Sequence, residues 1–326
     1  MVPERLVLFA FIDSREVSFM QRSSSHLVSV KQFTRERLEL LFSLAAGYQA
    51  KPPTARRNFV AMLWFLEPST RTRLSFDVAV NRLGGSTVNV PDATCLTLAE
   101  GETLEDTLTV IAGYGDLLVL RTPEPPLLAR AVECSPIPVI NAGDGTNEHP
   151  TQTVLDLYSI WREFGRIDGL KILLAVDLLY ARVANSLIQA LALFDVDLTV
   201  ATTADFQLSS ALRNTLNQSN IKWRVTEDFS GAIREADALY MTRFQHHRVA
   251  SVAERERLRA AYFRLTPQLL ATAPAHLRVF HCLTRHDELP LEVDLLPQAR
   301  YFQQAQNGVF ARMAIVDQVL SGELFS

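Results

Sequence analysis

The sequence predicts an α/β fold of two doubly wound domains with parallel sheets, linked by helices and enclosing a ligand cleft between them. Two observations carry this expectation. Apolar, β-rich runs alternate with amphipathic helical stretches almost throughout, and 326 residues suffice for two domains with substantial cores. The polar run FGRIDG (164–169) reads as the boundary, giving halves over 26–165 and 166–300. A closing helix near 301–321, within the C-terminal segment 301–326, crosses back onto the first half. Residues 1–25 read as an N-terminal extension.

The elements follow in chain order. NFVAMLWFLE (58–67) reads as a buried strand, after which Leu74, Val78, Ala79 and Leu83 recur at helical spacing until Gly84-Gly85 ends the helix. STVNV (86–90) is the next strand, 103–113 a helix, and DLLVLR (116–121) and IPVINA (137–142) are strands. His149-Pro150 opens a helix over 149–164, since proline suits the first helical position. In the second half, KILLAVD (171–177), DLTVAT (197–202), KWRVT (222–226), ALYMTRF (238–244) and RVFHC (278–282) read as strands, with helices over 182–194 and 252–263. Such sheets place ligand sites at the carboxyl ends of their strands.

Polar clusters fall at those ends. FLEPSTRTRLSF (65–76) sets Arg71 and Arg73 in the first turn of a helix, where the macrodipole already makes cations unfavourable unless an anion arrives. Free backbone N–H groups there, joined by the hydroxyls of Ser69, Thr70 and Thr72, form a phosphate-sized cradle; the competing reading is a surface helix capped by Ser69, with solvated arginines. Arg121 closes one strand, His149 and Gln152 sit at another helix start, Arg182 follows a fifth strand, and Arg243 and Gln245 follow a later one. One arginine at a strand end is ordinary surface charge. Four, from both halves, point to a crevice holding a phosphate on one side and carboxylates on the other, because the guanidinium fork matches both anions.

Composition narrows the classes. A formal net charge of −4 with no long basic run gives no electrostatic footprint for nucleic acid. Three cysteines, Cys95, Cys134 and Cys282, are odd in number, far apart and without a C-x-x-C pair, which argues against a disulfide framework and a zinc site and for a reducing, cytoplasmic setting. LVLFAFI (6–12) is too short to span a bilayer and lacks a small-residue cleavage site, so neither a membrane anchor nor a signal peptide is expected.

With S-T-R-T-R after a strand, H-P-T-Q (149–152), YMTRFQ (240–245) and YFQQAQNGVFARMA (301–314) in this order and spacing, the chain resembles the aspartate/ornithine carbamoyltransferases from about residue 26 onward. YMTRFQ and YFQQAQNG are similar to the aspartate branch, and no ornithine-type S-M-G element is present. HCL (281–283) resembles the ornithine branch, while Arg285, Asp287 and Glu288 return to the aspartate pattern. The resemblance implies an active site in the interdomain cleft and a carbamoyl transfer from carbamoyl phosphate to the amine of aspartate or a related amino dicarboxylate, as in pyrimidine biosynthesis. Ser69, Thr70, Arg71 and Thr72 would hold the phosphate. Thr72, Arg121 and His149 would polarise the carbonyl oxygen, Gln152 and the backbone of Leu283 would orient the carbamoyl amide, and Arg182, Arg243 and Gln245 would grip the carboxylates. Arg71, Thr72, Arg121 and His149 would then be the catalytic set, with no metal and no organic cofactor. It also implies a homotrimer that regulatory or paralogous chains can join.

The pattern is broken at named positions. The family inserts a loop from a neighbouring subunit carrying a serine and, four residues on, a lysine; here CLTLAEGETLEDT (95–107) places Leu96 and Glu100 there. Two unit charges about 4 Å apart interact by roughly 4 kcal/mol at an effective dielectric of 20, so reversing one costs up to about 8 kcal/mol before screening. Asn185 stands for a histidine, Ala181 for a glycine and Thr284 for a proline that follows a cis bond in the family. Three readings follow: a working carbamoyltransferase with the lysine supplied by another arginine, the same scaffold with a changed acyl donor or acceptor, or a catalytically silent paralogue serving an assembly.

Overall fold

The computed structural model describes residues 26–51, 53, 58–90 and 101–325. The 6–12 run, Leu96 and Glu100 therefore lie outside the described residues. In chain order the elements are α1 (Arg35–Ala50), β1 (Val60–Phe65), α2 (Thr70–Arg82), β2 (Ser86–Val90), α3 (Leu104–Tyr114), β3 (Leu117–Thr122), α4 (Pro125–Cys134), β4 (Val139–Asp144) and α5 (Pro150–Phe164). There follow β5 (Lys171–Ala175), α6 (Arg182–Leu191), β6 (Asp197–Ala201), α7 (Ser210–Gln218), β7 (Lys222–Thr226), β8 (Ala238–Met241), α8 (Val252–Ala261), β9 (Arg278–His281) and α9 (Tyr301–Ser321). Single helical turns occupy Phe229–Ala232 and Pro267–Leu270.

The strands form two sheets, ordered β2-β1-β3-β4 and β7-β6-β5-β8-β9, and every pairing is parallel. Strands such as Ala61–Phe65 and Leu117–Leu120 are buried residue after residue, as expected when helices cover both faces. In each sheet the order reverses once, between β1 and β3 and between β5 and β8. A crevice opens outside the carboxyl ends at such a switch point. β1 leads to Ser69 and Thr70, β3 carries Arg121 as its last residue but one, β5 leads to Arg182, and β8 leads to Arg243.

One hydrophobic core runs through both halves. It takes in Leu38, Leu41 and Phe42 of α1, Val154, Leu155 and Tyr158 of α5, Leu187 and Ile188 of α6, and Ala311 through Val316 of α9, apart from Arg312. Helix α9 packs on α1, α2 and α5, tying the chain's end to its first half. Several expected elements end early, the strands expected over 171–177 and 278–282 stopping at Ala175 and His281. The strand expected over 238–244 stops at Met241, so Arg243 and Gln245 sit in the following loop rather than within a ladder. Helix α6 ends at Leu191 and α8 at Ala261, each short of its expected end at 194 and 263.

Candidate active site

Both switch points face one cavity of about 360 Å³. It is lined by Ser69, Thr70, Arg71, Thr72, Arg121, His149 and Gln152 from the first half and by Arg182, Arg243, Gln245, Leu283 and Thr284 from the second. Arg73, paired with Arg71 in the sequence reading, is exposed on α2 and does not line it.

The helix starts that reach the cavity lack side-chain caps. Ser69, His149 and Ala181 occupy the positions just before α2, α5 and α6, and none makes a side-chain capping bond. Thr34, Thr103, Ser209 and Ser251 cap α1, α3, α7 and α8 in the ordinary way. The Ser69 hydroxyl is thus not spent as a cap, and the first-turn N–H groups of α2, with the positive end of its dipole, are presented to an anion. Thr72 is buried at the foot of this cradle.

Glu67, just after β1, stands amid the arginines. Its carboxylate is 3.4 Å from Arg121 Nε, accepts from both terminal nitrogens of Arg182 at 3.3 Å, and is 3.8 Å from Arg248. Arg182 also donates to the Gly145 carbonyl, to which Arg248 donates at 3.4 Å. Gly143 makes room for this packing: its φ is +114°, and a Cβ there would lie 3.1 Å from the Arg182 guanidinium carbon and 3.3 Å from the His149 ring. Arg121 donates to the Ala142 carbonyl at 3.3 Å. Arg312 of α9, 3% exposed, reaches the same cavity, stacked 5.2 Å above the Phe76 ring with its Nε unpartnered.

On the opposite side, Asp177 after β5 is fully buried and accepts from the backbone N–H groups of Leu179, Tyr180 and Gln245. It thereby clamps the Arg182 loop to the Gln245 loop. Arg243 donates to Thr284 Oγ1 at 3.2 Å and lies 3.3 Å from His286 Nε2. The Leu283–Thr284 peptide bond is cis, with threonine in place of proline. His149 is tied across the halves, its N–H donating to Ser186 Oγ at 3.0 Å.

Electrostatics follow from burial and like charge. Burial, then Arg182, push the Arg121 guanidinium down to about 9, which still leaves it a cation at neutral pH. Burial lowers Arg71 as well, with Arg243 adding to the effect. Burial first, then Arg182 and Arg121, hold His149 well below its ordinary 6.5, so its imidazole is neutral. Asp156 is raised by burial to about 7 against the pull of its hydrogen-bond donors.

The buried histidines set a pH dependence of stability. Burial also lowers His26 and His281. The unfolded chain takes up protons at these positions near pH 6.5 while the folded protein resists them, so stability falls as pH drops below 6.5, by up to about 1.4 kcal/mol per pH unit for each histidine. Asp156 and Asp177, both raised by burial, work in the opposite sense but are two groups against three histidines. Denaturant titrations at pH 5 and pH 7 are therefore expected to show lower stability at pH 5. His26→Asn, which keeps an acceptor for the Val139 N–H now held at 3.0 Å by Nδ1, narrows the difference.

Glu67, Asp156, Asp177, Arg248 and Arg312 were not singled out as site residues from the sequence. For Arg312 the signal was present, inside YFQQAQNGVFARMA; the others depend on contacts distant in sequence. Among the described residues no three His, Cys, Asp or Glu side chains gather as a metal-binding group, and no helix is long and apolar enough to cross a membrane.

Comparison with known proteins places this geometry. Residues 25–162 match the family model described as aspartate/ornithine carbamoyltransferase, carbamoyl-P binding domain, and residues 168–319 match its Asp/Orn binding domain. The chain is 41% identical over 298 residues to the aspartate carbamoyltransferase catalytic subunit of Chromobacterium violaceum, covering 91% of this chain and 98% of that one. It is 39% identical over 307 residues to that of Thermococcus onnurineus, covering 92% and 98%. Among solved structures it is similar to the catalytic subunit of M. jannaschii aspartate transcarbamoylase, with TM-score 0.84, 38% identity and coverage of 91% and 98%. It is likewise similar to the Trypanosoma cruzi aspartate transcarbamoylase in complex with N-(phosphonacetyl)-L-aspartic acid, with TM-score 0.82, 32% identity and coverage of 89% and 94%.

Proposed function

The chain belongs to the aspartate/ornithine carbamoyltransferase family, and from that premise we propose that it transfers the carbamoyl group of carbamoyl phosphate to the amine of aspartate. The observation that carries this reading is that two sets of arginines and polar side chains, one from each sheet's switch point, open onto one cavity.

Ser69, Thr70, Arg71, Thr72 and the α2 N–H groups hold the phosphate. Arg121, Thr72 and neutral His149 donate to the carbonyl oxygen, Gln152 and the Leu283 backbone meet the amide, and Arg182, Arg243 and Gln245 take the aspartate carboxylates. The deprotonated amine attacks the carbamoyl carbon and forms the new C–N bond. Negative charge collects on the carbonyl oxygen, facing cations already in place. The C–O bond to phosphate then breaks, its electron pair leaves with the phosphate, and the amine proton can pass to that phosphate. Alignment and preset positive charge are the terms able to supply most of the acceleration in such a transfer. Halves over 26–165 and 166–300 divide the work between donor and acceptor.

We further propose a cytoplasmic homotrimer, open to regulatory or paralogous chains. Leu74 and Val78 of α2 and Val88 of the edge strand β2 are exposed apolar side chains on elements leading toward residues 91–100, where the family's shared loop falls. Glu100 lies in that stretch and favours a second reading, a changed donor or acceptor. Under the first reading Glu100→Lys raises kcat/KM modestly, by about tenfold, or ~1.4 kcal/mol; steady-state kinetics check it.

The experiment is an assay with labelled carbamoyl phosphate against a panel of amino acids. N-carbamoyl-aspartate and phosphate in equal amounts are expected. A product with ornithine or a neutral amino acid in preference to aspartate favours the second reading. No product, with no thermal stabilisation by a phosphonate-dicarboxylate analogue, leaves a silent assembly subunit.

A further inference from the structure

Gln152, in the first turn of α5, donates from Nε2 to Asp156 Oδ1 at 2.8 Å. Asp156 is fully buried. Its Oδ1 also accepts from Gln304 Nε2 of α9 at 2.6 Å, and its Oδ2 from the Tyr240 hydroxyl of β8 at 2.6 Å. An amide side chain presents a donor edge and an acceptor edge of nearly equal shape, so its polarity must be set by a neighbour whose role is fixed. Here that neighbour is a main-chain N–H, which can only donate: that of His281, given to Gln304 Oε1 at 2.8 Å. Gln304 must then turn its NH2 to Asp156, which holds Oδ1 as an acceptor. Gln152 is obliged to do the same, leaving its own oxygen as the uncommitted edge beside the cavity. His281 also accepts at Nδ1 from the Leu283 N–H at 2.8 Å, so the chain of bonds that sets Gln152 reaches the loop on the cavity's other side.

We propose that Asp156 is a positioning residue for donor selection: it fixes Gln152 with its oxygen toward the bound acyl phosphate, so that a donor bearing an NH2 group is accepted over one bearing a methyl group in its place. The inference rests on the reading of the site as a carbamoyl phosphate site. A carbamoyl NH2 satisfies the Gln152 oxygen, while an acetyl methyl leaves it unpaired in a desolvated pocket, which is the situation in which a site discriminates most strongly. Freed from Asp156, the amide can rotate and the preference fades.

The test compares kcat/KM for carbamoyl phosphate and acetyl phosphate with aspartate as acceptor, and the two dissociation constants by calorimetry, in wild type, Asp156→Leu, Gln304→Met and Tyr240→Phe. The wild type is expected to prefer carbamoyl phosphate, and Asp156→Leu, which removes the acceptor that holds the Gln152 NH2, to reduce that preference at least about tenfold. Gln304→Met, which unties Asp156 from His281, reduces it in the same direction and serves if Asp156→Leu does not fold. Tyr240→Phe removes a bond to the same carboxylate without touching Oδ1, so it lowers stability and leaves the preference in place. A preference unchanged in both Asp156→Leu and Gln304→Met overturns the inference, as does an equal loss in Tyr240→Phe, which would mark Asp156 as a structural pin. If the wild type neither binds nor uses either acyl phosphate, the proposed function fails as well; if it prefers carbamoyl phosphate and the variants keep that preference, only this inference fails.

Discussion

Replacing Arg121 with alanine lowers kcat by about 10³-fold while leaving the KM for aspartate near its wild-type value, the size expected when a preset donor to a developing oxyanion is removed. Arg121 lies at the carboxyl end of β3, just before Thr122, at the switch point of the first sheet. Its side chain is 12% exposed and held between Glu67 and the Ala142 carbonyl, so it is oriented before substrate arrives and needs no reorganisation during reaction. Its share of the charge is felt most as the carbonyl oxygen becomes an oxyanion. In the proposed reaction Arg182 and Arg243, on the other half, are the residues that take the aspartate carboxylates. Steady-state kinetics on the variant, with its fold verified by thermal unfolding, read the split between kcat and KM directly.

Glu67→Gln destabilises the free protein by about 2–4 kcal/mol, because removing one partner of a largely buried ion cluster leaves the others uncompensated. The carboxylate faces Arg121, Arg182 and Arg248 and is 21% exposed, which places the cost somewhat below that of a fully buried pair. The change also raises the benefit of a bound anion, since a phosphonate or carboxylate then supplies the charge that Glu67 no longer does. The unfolding temperature is therefore expected to fall in the free variant and to rise more on adding a bisubstrate analogue than it does for wild type. Differential scanning calorimetry with and without the analogue measures both effects.

The alternation of strands and helices was legible because strands covered on both faces must be apolar almost continuously, as β1 and β3 are. Site arginines were legible for the same reason: a cation following such a run is placed by topology at a strand's carboxyl end. Helices α1, α4 and α7 were not named from the sequence. The buried face of α1, at Leu38, Leu41 and Phe42, is matched to α9, nearly the whole chain away. Glu67 reads as the tail of a strand until Arg182, 115 residues later, folds against it. Asp156 reads as one polar residue on a helix until Tyr240 and Gln304 arrive from 84 and 148 residues away. Ser69 shows the limit from the other side, since sequence alone made it a good helix cap and the structure leaves its hydroxyl uncommitted.

Calorimetric titration with N-(phosphonacetyl)-L-aspartate tests most directly whether guanidinium groups from separate segments share one cleft. One site per chain is predicted, with affinity reduced at least about 10²-fold by Arg71→Ala and, separately, by Arg243→Ala, as each removes a desolvated charged contact. Binding that either variant leaves untouched, or no binding by a folded wild-type chain, would contradict convergence of the two halves on a single doubly anionic ligand.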